Sequence, residues 1–409
     1  MKNSGIEWIG EIPDSWDISH VKNCFYLSKT KARQKDPVVL RLARSGVHVK
    51  DVTTNEGQMA ESYEDYNPVC VGDLLLNPMD LYSGANCNVS EVEGVISPAY
   101  QNLRKKIELN PKYFDYYFKI QYWTMAMFAH GKGISFDNRW TINSETILNY
   151  YLPFPSLDEQ NKIVLALNNK LSQVDELIAN QQGQIEKLKK YKQSVIAEAV
   201  TKGLDKSAPL KDSGIEWIGV ISTNAKMYRL KNVANILDEF RQPITADLRN
   251  QNADILYDYY GASGAIDKID GYTIDDHVML IGEDGANLRM RNLPLMYEVN
   301  GKAWINNHAH ILKPKKNILF KYLFLALESL DINPYITGSA QPKLNQENLK
   351  NIWLPVFSIE EQQQIVDYLD EKCGKIDRLI AIKQEKIEKL QEYKKSLIYE
   401  YVTGKKEVV

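Results

Sequence analysis

Between residues 158 and 201 the apolar side chains return every seven positions. Leu171, Ile178, Ile185 and Ala199 form one series, and Val174, Leu188 and Val195 form the other. Residues 354–403 repeat the pattern with Cys373, Ile380, Ile387 and Tyr401, then Ile376, Leu390 and Leu397. A seven-residue period held this long predicts helices packed as a coiled coil. Ser156-Leu-Asp-Glu159 and Ser358-Ile-Glu-Glu361 each fit a capping box, in which the serine accepts from the third amide and the glutamate returns to the first. Pro153, Pro155 and Pro355 precede these starts, and Gly203 and Gly404 follow the ends. At about 1.5 Å per residue, 158–201 makes about 66 Å of helix. The seam carries polar residues at Gln181/Lys383 and Lys192/Lys394. Such residues can fix register, or the lysines can lie at the flank with their ammonium groups in water.

The whole chain is a duplication. Residues 2–10 read KNSGIEWIG and residues 211–219 read KDSGIEWIG. Residues 152–201 align without gaps on 354–403, and 25 of the 50 positions match, far beyond chance. Between the repeats lie two segments, 15–150 and 220–352, that share only traces. Residues 74–76 resemble 278–281, 97–103 resemble 307–312, and 113–118 resemble 319–324. The same frame with a different surface is expected of each. If the two helices pair, chain order makes them antiparallel with one variable domain at each end, a pseudo-twofold, circularly organised rod.

Composition narrows the function. The 409 residues suggest two to four domains of ordinary globular make-up. Fifty basic and 53 acidic residues leave a charge of −3, so any nucleic-acid surface must be a local patch. Four scattered cysteines with no CxxC pair fit a reducing compartment. No apolar run is long enough for a membrane span and the start lacks a signal-peptide core, so a cytoplasmic protein is expected. Catalytic constellations are weak. Residues 77–80, NPMD, only superficially resemble an amino-methyltransferase signature, and no phosphate-binding glycine loop occurs. His308 and His310 lack a third ligand nearby and read as hydrogen-bonded histidines. Asp370 sits within the heptad helix and reads as solvated surface. The aromatic run 113–128 reads as a buried core helix rather than a stacking platform.

The order variable domain, helix, variable domain, helix resembles the specificity (S) subunit of type I restriction–modification systems. The resemblance is carried by GIEWIG at 5–10 and 214–219, by LPFPSLDEQNKIV at 152–164 and by LPVFSIEEQQQIV at 354–366. YGASGAID at 260–267, IGEDGANL at 281–288 and NNHAHILKP at 306–314 resemble stretches of target-recognition domains. Residues 131–153 depart from the commoner pattern seen at 337–355, so contact residues there do not transfer. The resemblance implies an α+β chain with target-recognition domains at 1–151 and 206–353 and conserved spacer helices at 152–205 and 354–409. It implies that each domain reads half of a bipartite double-stranded DNA site. The antiparallel coiled coil would set the gap and dock two modification (methyltransferase) subunits, with restriction (translocase/nuclease) subunits as an optional addition. No cofactor is expected on this chain; S-adenosylmethionine, ATP and Mg2+ belong to the partner subunits.

Arginine reads guanine, asparagine and glutamine read adenine, and lysine mostly grips phosphate. Candidates in the first domain are Arg33, Arg41, Arg44, Asn86, Asn88, Lys132 and Arg139. In the second they are Arg241, Lys268, Asn287, Arg289, Arg291, Gln341 and Lys343. Alternation would put Asn287, Arg289 and Arg291 on one face of a strand or extended loop, which makes them the leading cluster. Tyr191, Tyr393 and Tyr399 are candidates for partner docking. A stand-alone DNA-binding regulator would need no methyltransferase. A coiled-coil adaptor with protein-binding heads would show no salt-dependent DNA affinity. An enzyme is disfavoured because no catalytic constellation was found.

Overall fold

The computed structural model describes residues 1–54, 60–79, 81, 87–133, 140–249 and 254–408. The chain is a mixed helix-and-strand, α+β protein. It forms two compact units, Met1–Gln182 with Glu385–Val409, and Gly183–Gln384. No helix among the described residues is long and apolar enough to cross a membrane.

In the first unit an antiparallel sheet runs in the order Phe25–Leu27, Gln101–Lys105, Leu74–Leu76, Cys87–Val89. Strand side chains alternate between faces. Leu74 and Leu76 enter the main core, while Leu75 joins Leu40, Leu42, Val69 and Ile96 in a second one. Helix α1, Pro111–Trp123, adds Tyr113, Phe114, Tyr117 and Phe118 to the main core, so the aromatic run is core. Asn110 caps α1 by accepting from Lys112 N, with proline opening the first turn. Strand Tyr151–Phe154 pairs with Asp17–His20 and feeds helix α2, Leu157–Lys202.

The second unit repeats this frame and extends it. Its sheet order is Ala234–Ile236, Ala309–Pro314, Ile274–Gly282, Met296–Ile305, Tyr257–Gly261, Gly264–Ile269. The first four strands follow the order of the first unit's sheet. The faint sequence matches at 74–76, 97–103 and 113–118 therefore fall on equivalent elements. The hairpin Tyr257–Gly261/Gly264–Ile269 widens the second sheet, whereas in the first unit Leu40–Ala43 and Gly46–Val49 pair in a sheet of their own. Helix α3, Phe320–Ser329, buries Tyr322, Leu323, Ala326 and Leu327 against Met279, Ile281, Met296 and Leu312. Strand Trp353–Val356 pairs with Lys226–Arg229 and feeds helix α4, Ile359–Val402.

Each unit clamps the two long helices in the same way. The buried Gln160 accepts from Asn110 N at 2.9 Å and donates to Pro155 O at 2.9 Å. Gln362 likewise accepts from Leu319 N at 2.9 Å and donates to Phe357 O at 2.9 Å. Tyr113 of α1 donates to Val402 O at 2.9 Å, and Tyr322 of α3 donates to Pro355 O at 2.9 Å and Val200 O at 3.4 Å. In each unit the shorter helix is thus tied to the start of one long helix and the end of the other. The capping serines accept as expected, Ser156 from Glu159 N at 3.3 Å and Ser358 from Glu361 N at 3.2 Å. The glutamates take other partners: Glu159 accepts from Trp16 Nε1 at 2.7 Å and Glu361 from Asn224 Nδ2 at 3.2 Å. Gly404, at φ +70°, could hold no side chain, because a Cβ would lie 2.3 Å from Pro13.

The heptad positions are buried or half-buried throughout. The seam lysines make specific bonds rather than trailing into water. Lys192 bonds both oxygens of Asp377 at 2.7 Å, and Lys383 bonds Gln184, so α2 and α4 run antiparallel within the second unit. In the first unit Lys394 bonds both oxygens of Asp175, at 2.6 and 2.7 Å. The duplication carries Asp175 onto Asp377 and Lys192 onto Lys394, so one pair is used twice with the helices exchanged. Half-exposed pairs contribute about 0–1 kcal/mol each, but they set register.

Replacing Gln362 with alanine leaves Leu319 N–H unpaired in the core. Gln362→Ala is expected to cost about 1–3 kcal/mol, seen as a lower urea midpoint by tryptophan fluorescence; an unchanged midpoint would refute the clamp.

Candidate nucleic-acid interface

In the second unit Thr337 and Lys343 exchange backbone bonds at 2.9 and 2.8 Å and close a loop. Gly338 turns it at φ +78°, where a Cβ would lie 2.4 Å from Gln341 O. Leu344 N donates to Glu283 O at 2.7 Å and Gly285 N to Pro342 O at 3.1 Å, seating the loop beside the end of the Ile274–Gly282 strand. Gln341 and Lys343 are exposed. Arg241 and Lys343 share Glu283, at 2.5 and 3.1 Å. Arg289 donates to Gly338 O at 3.3 Å. Four of the seven second-domain candidates therefore gather at one loop.

Beneath them lies a polar network. Asp238 accepts from Gln346 Nε2 at 2.9 Å and Ile311 N at 3.1 Å, and meets His310 Nδ1 at 2.7 Å. The buried His310 also contacts Leu344 O through Nε2 at 2.8 Å. Burial pushes the Asp238 and Glu283 carboxyls up, but the combined hydrogen bonds and nearby cations outweigh it, and both end below their ordinary values. His308 meets Asp284 Oδ2 at 2.7 Å. Both histidines are hydrogen-bonded, and no group of three metal-ligating side chains is present among the described residues.

The remaining second-domain candidates need correction. Residues 287–291 are not extended: Asn287–Met290 is a short helix that ends at Arg291, φ 52°. Asn287 is engaged locally, accepting from Leu293 N at 2.8 Å and donating to Pro294 O at 3.1 Å. Arg291 points away from Arg289 and donates to Leu330 O at 2.5 Å and Glu328 O at 3.4 Å. Arg291 therefore holds the fold, and burial lowers its pKa. Lys268 lies apart on the hairpin, paired with Asp258 at 3.1 Å.

The first unit frames an equivalent loop. Lys132 and Thr141 exchange backbone bonds at 2.7 and 2.9 Å, across nine positions rather than six. Both loops lead into asparagine-capped turns, with Asn143 accepting from Thr146 N and Asn345 from Asn348 N, each at 2.8 Å. Lys132 is exposed at the base of its loop. Asn86, Arg139 and Asp80 of the 77–80 motif lie outside the described residues. Arg41 lines a cleft of about 510 Å3 with Lys50, Tyr66 and Tyr100. Arg33 is exposed at φ 52°, its N–H bonded to Glu64 O at 2.9 Å. Arg44 lies in a separate hollow with Lys112, Lys119 and Lys394. Asn88 lines it too, but is only 8% exposed and accepts from Lys119 at 3.1 Å, so it is not presented to a base.

Residues 223–392 match the type I restriction modification DNA specificity domain. The putative type I restriction enzyme specificity subunit S.HindORF215P of Haemophilus influenzae is 33% identical over 161 residues, 39% of this chain and 38% of that protein. The MjaVIII specificity subunit of Methanocaldococcus jannaschii is 24% identical over 81% of this chain and 80% of its own length. The EcoBI specificity subunit of Escherichia coli is 24% identical over 90% and 81%. A chain solved in work on complex assembly and conformational transition of the type I R-M system shares the fold, with TM-score 0.67 and 15% identity over 96% of this chain and 98% of that one.

The chain is similar to type I restriction–modification specificity subunits.

The exposed docking candidates sit at repeat-equivalent positions, Tyr191 in one unit and Tyr393 in the other, 50% and 52% exposed. Tyr399 is half-buried with Lys405 4.2 Å over its ring. Asp370 pairs with Lys321 at 2.6 Å on the surface. Glu283 and Asp238, which organise the loop with His310, carry no signal in the sequence as site residues, since Lys343, His310 and Gln346 lie far from them along the chain.

Arg291→Ala should destabilise by about 1–3 kcal/mol, while Arg289→Ala should stay within about 0.5 kcal/mol; denaturant unfolding separates them, and equal effects would refute the assignment. Asp238 and Glu283, with depressed values, contribute stability that is complete above the ordinary carboxylate range and is lost as pH falls through their folded values. Asp238→Asn should therefore flatten the acid limb of stability against pH; an unchanged limb would count against the network.

Proposed function

We propose that this chain is the DNA-specificity component of a type I complex, each unit reading one half of a bipartite duplex site. The paired long helices set the interval between the halves and receive two modification subunits. The complex then methylates adenine and, with a restriction subunit, cleaves. S-adenosylmethionine, ATP and Mg2+ would reside on those partners.

The observation that carries this reading is a repeated frame with unlike loops. Lys132–Thr141 and Thr337–Lys343 are bracketed by the same two backbone bonds, yet differ in length and sequence. Two readers of different half-sites need such a constant support and changeable tip. In the second head Gln341 has the amide that can pair with adenine. Lys343, Arg241 and Arg289 supply charge for phosphate, with Glu283 holding two of them in place. In the first head Arg33, Arg41, Arg44 and Lys132 are the exposed counterparts.

Helix length supports the ruler role. The 46 residues of α2 extend about 69 Å, and heads on one face of B-DNA need about 34 Å or a multiple between sites. The swapped Asp–Lys pair is what an antiparallel, pseudo-twofold stem would require.

Inserting seven residues after both Gln182 and Gln384 keeps the heptad seam and adds about 10 Å of helix. The methylated sites, mapped by sequencing DNA from cells carrying the variant and its modification subunit, should gain about three base pairs of spacer with both half-sites unchanged. Altered half-site bases, or an unchanged gap, would overturn the ruler.

A further inference from the structure

The GIEWIG turns fold identically, and the fold accounts for most of the motif. In the first, Ser4 N donates to Gly10 O, Gly10 N to Ile6 O, and Gly5 N to Asn3 Oδ1. In the second, Ser213 N donates to Gly219 O, Gly219 N to Ile215 O, and Gly214 N to Asp212 Oδ1. All four glycines have positive φ. Two positions are left without such a reason. Glu7 and Glu216 are exposed and make no bond among the described residues, and Trp217 is 40% exposed.

The surroundings of the indoles also recur. Trp8 stacks on Tyr150 at 5.2 Å and meets His130 at 4.7 Å, beside a hollow of about 290 Å3 lined also by Glu145, Asn149 and Tyr151. Trp217 meets Tyr335 at 5.5 Å. The duplication carries Glu145 onto Glu347 and Asn149 onto Asn351. Both units thus place an indole next to an exposed carboxylate of its own turn, Trp8 half-buried beside Glu7 and Trp217 exposed beside Glu216. Aromatic faces and carboxylates together favour a cation, while Glu7 and Glu145 would repel phosphate.

We infer that each GIEWIG turn is a docking site for a lysine or arginine of a protein segment, one per unit, carried by the modification subunit. This rests on the proposed function and adds to the contact on the long helices a second contact on each head, with its chemistry. Two heads that read different DNA have no reason to keep the same acidic, aromatic surface; two copies of one partner give that reason.

The test titrates the modification subunit onto the full chain and reads copies bound by light scattering. The wild type should take two. E7K/E145K and E216K should each weaken one attachment about tenfold or more and leave the other unchanged; E7Q/E145Q should lose less. Circular dichroism checks the fold of these surface variants. If the wild type takes two copies and every variant does so with unchanged affinity, this inference fails and the proposed function stands. If the wild type takes none, both fail. Lost DNA affinity or lost self-association, with two copies retained, would assign the turns to another occupant and also overturn it.

Discussion

Two buried glutamines hold the architecture. A helix start exposes amides and a helix end exposes carbonyls, and burying either without partners is costly. Gln160 and Gln362 bridge the first turn of a long helix to the first turn of a head helix with one amide group each. Tyr113 and Tyr322 do the complementary work at the other long helix, donating to carbonyls near its end. Within each unit the head therefore cannot shift on its helices without breaking bonds that have no water to replace them. A surface loop that must recognise something gains from such a support, because its own backbone is held at only a few points.

The same logic explains what the duplication kept. The serine and glutamine at each helix start, the Asp–Lys pair of the seam and the glycines of the GIEWIG turns match between repeats because each meets a partner that also recurs, while apolar seam positions vary, as at Leu171/Cys373 and Ala199/Tyr401. Between them the requirement is only that strands alternate and pack. Leu74–Leu76 and the 278–281 stretch satisfy it with different residues. The frame could persist while the loops changed length, eight residues lying between the bracket residues in one unit and five in the other.

Much of this was legible in the sequence because it is local. The seven-residue period, the serine caps and the glycine ends are statements about neighbours along the chain, and the long helices follow from them. The seam lysines left two readings open, since choosing between a register bond and a solvated tail needs the facing residue, here Asp377 or Asp175. The capping glutamates misled for a similar reason: Trp16 and Asn224 compete for them from far away in sequence.

The candidate interface was less legible, and residues 287–291 show why. An alternating pattern predicts one face only if the backbone is extended. Here Asn287 bonds Leu293 and Pro294, the chain coils, and Arg291 enters the left-handed region. Arg289 and Arg291 then part: one reaches the Gly338 loop, the other the carbonyls of Glu328 and Leu330 at the end of α3. Residue type had marked both as cations suited to DNA, but only backbone geometry decides which cation faces outward. The reverse holds for Glu283, an acidic residue that a search for positive charge passes over. By accepting from Arg241 and Lys343 it fixes where two cations stand.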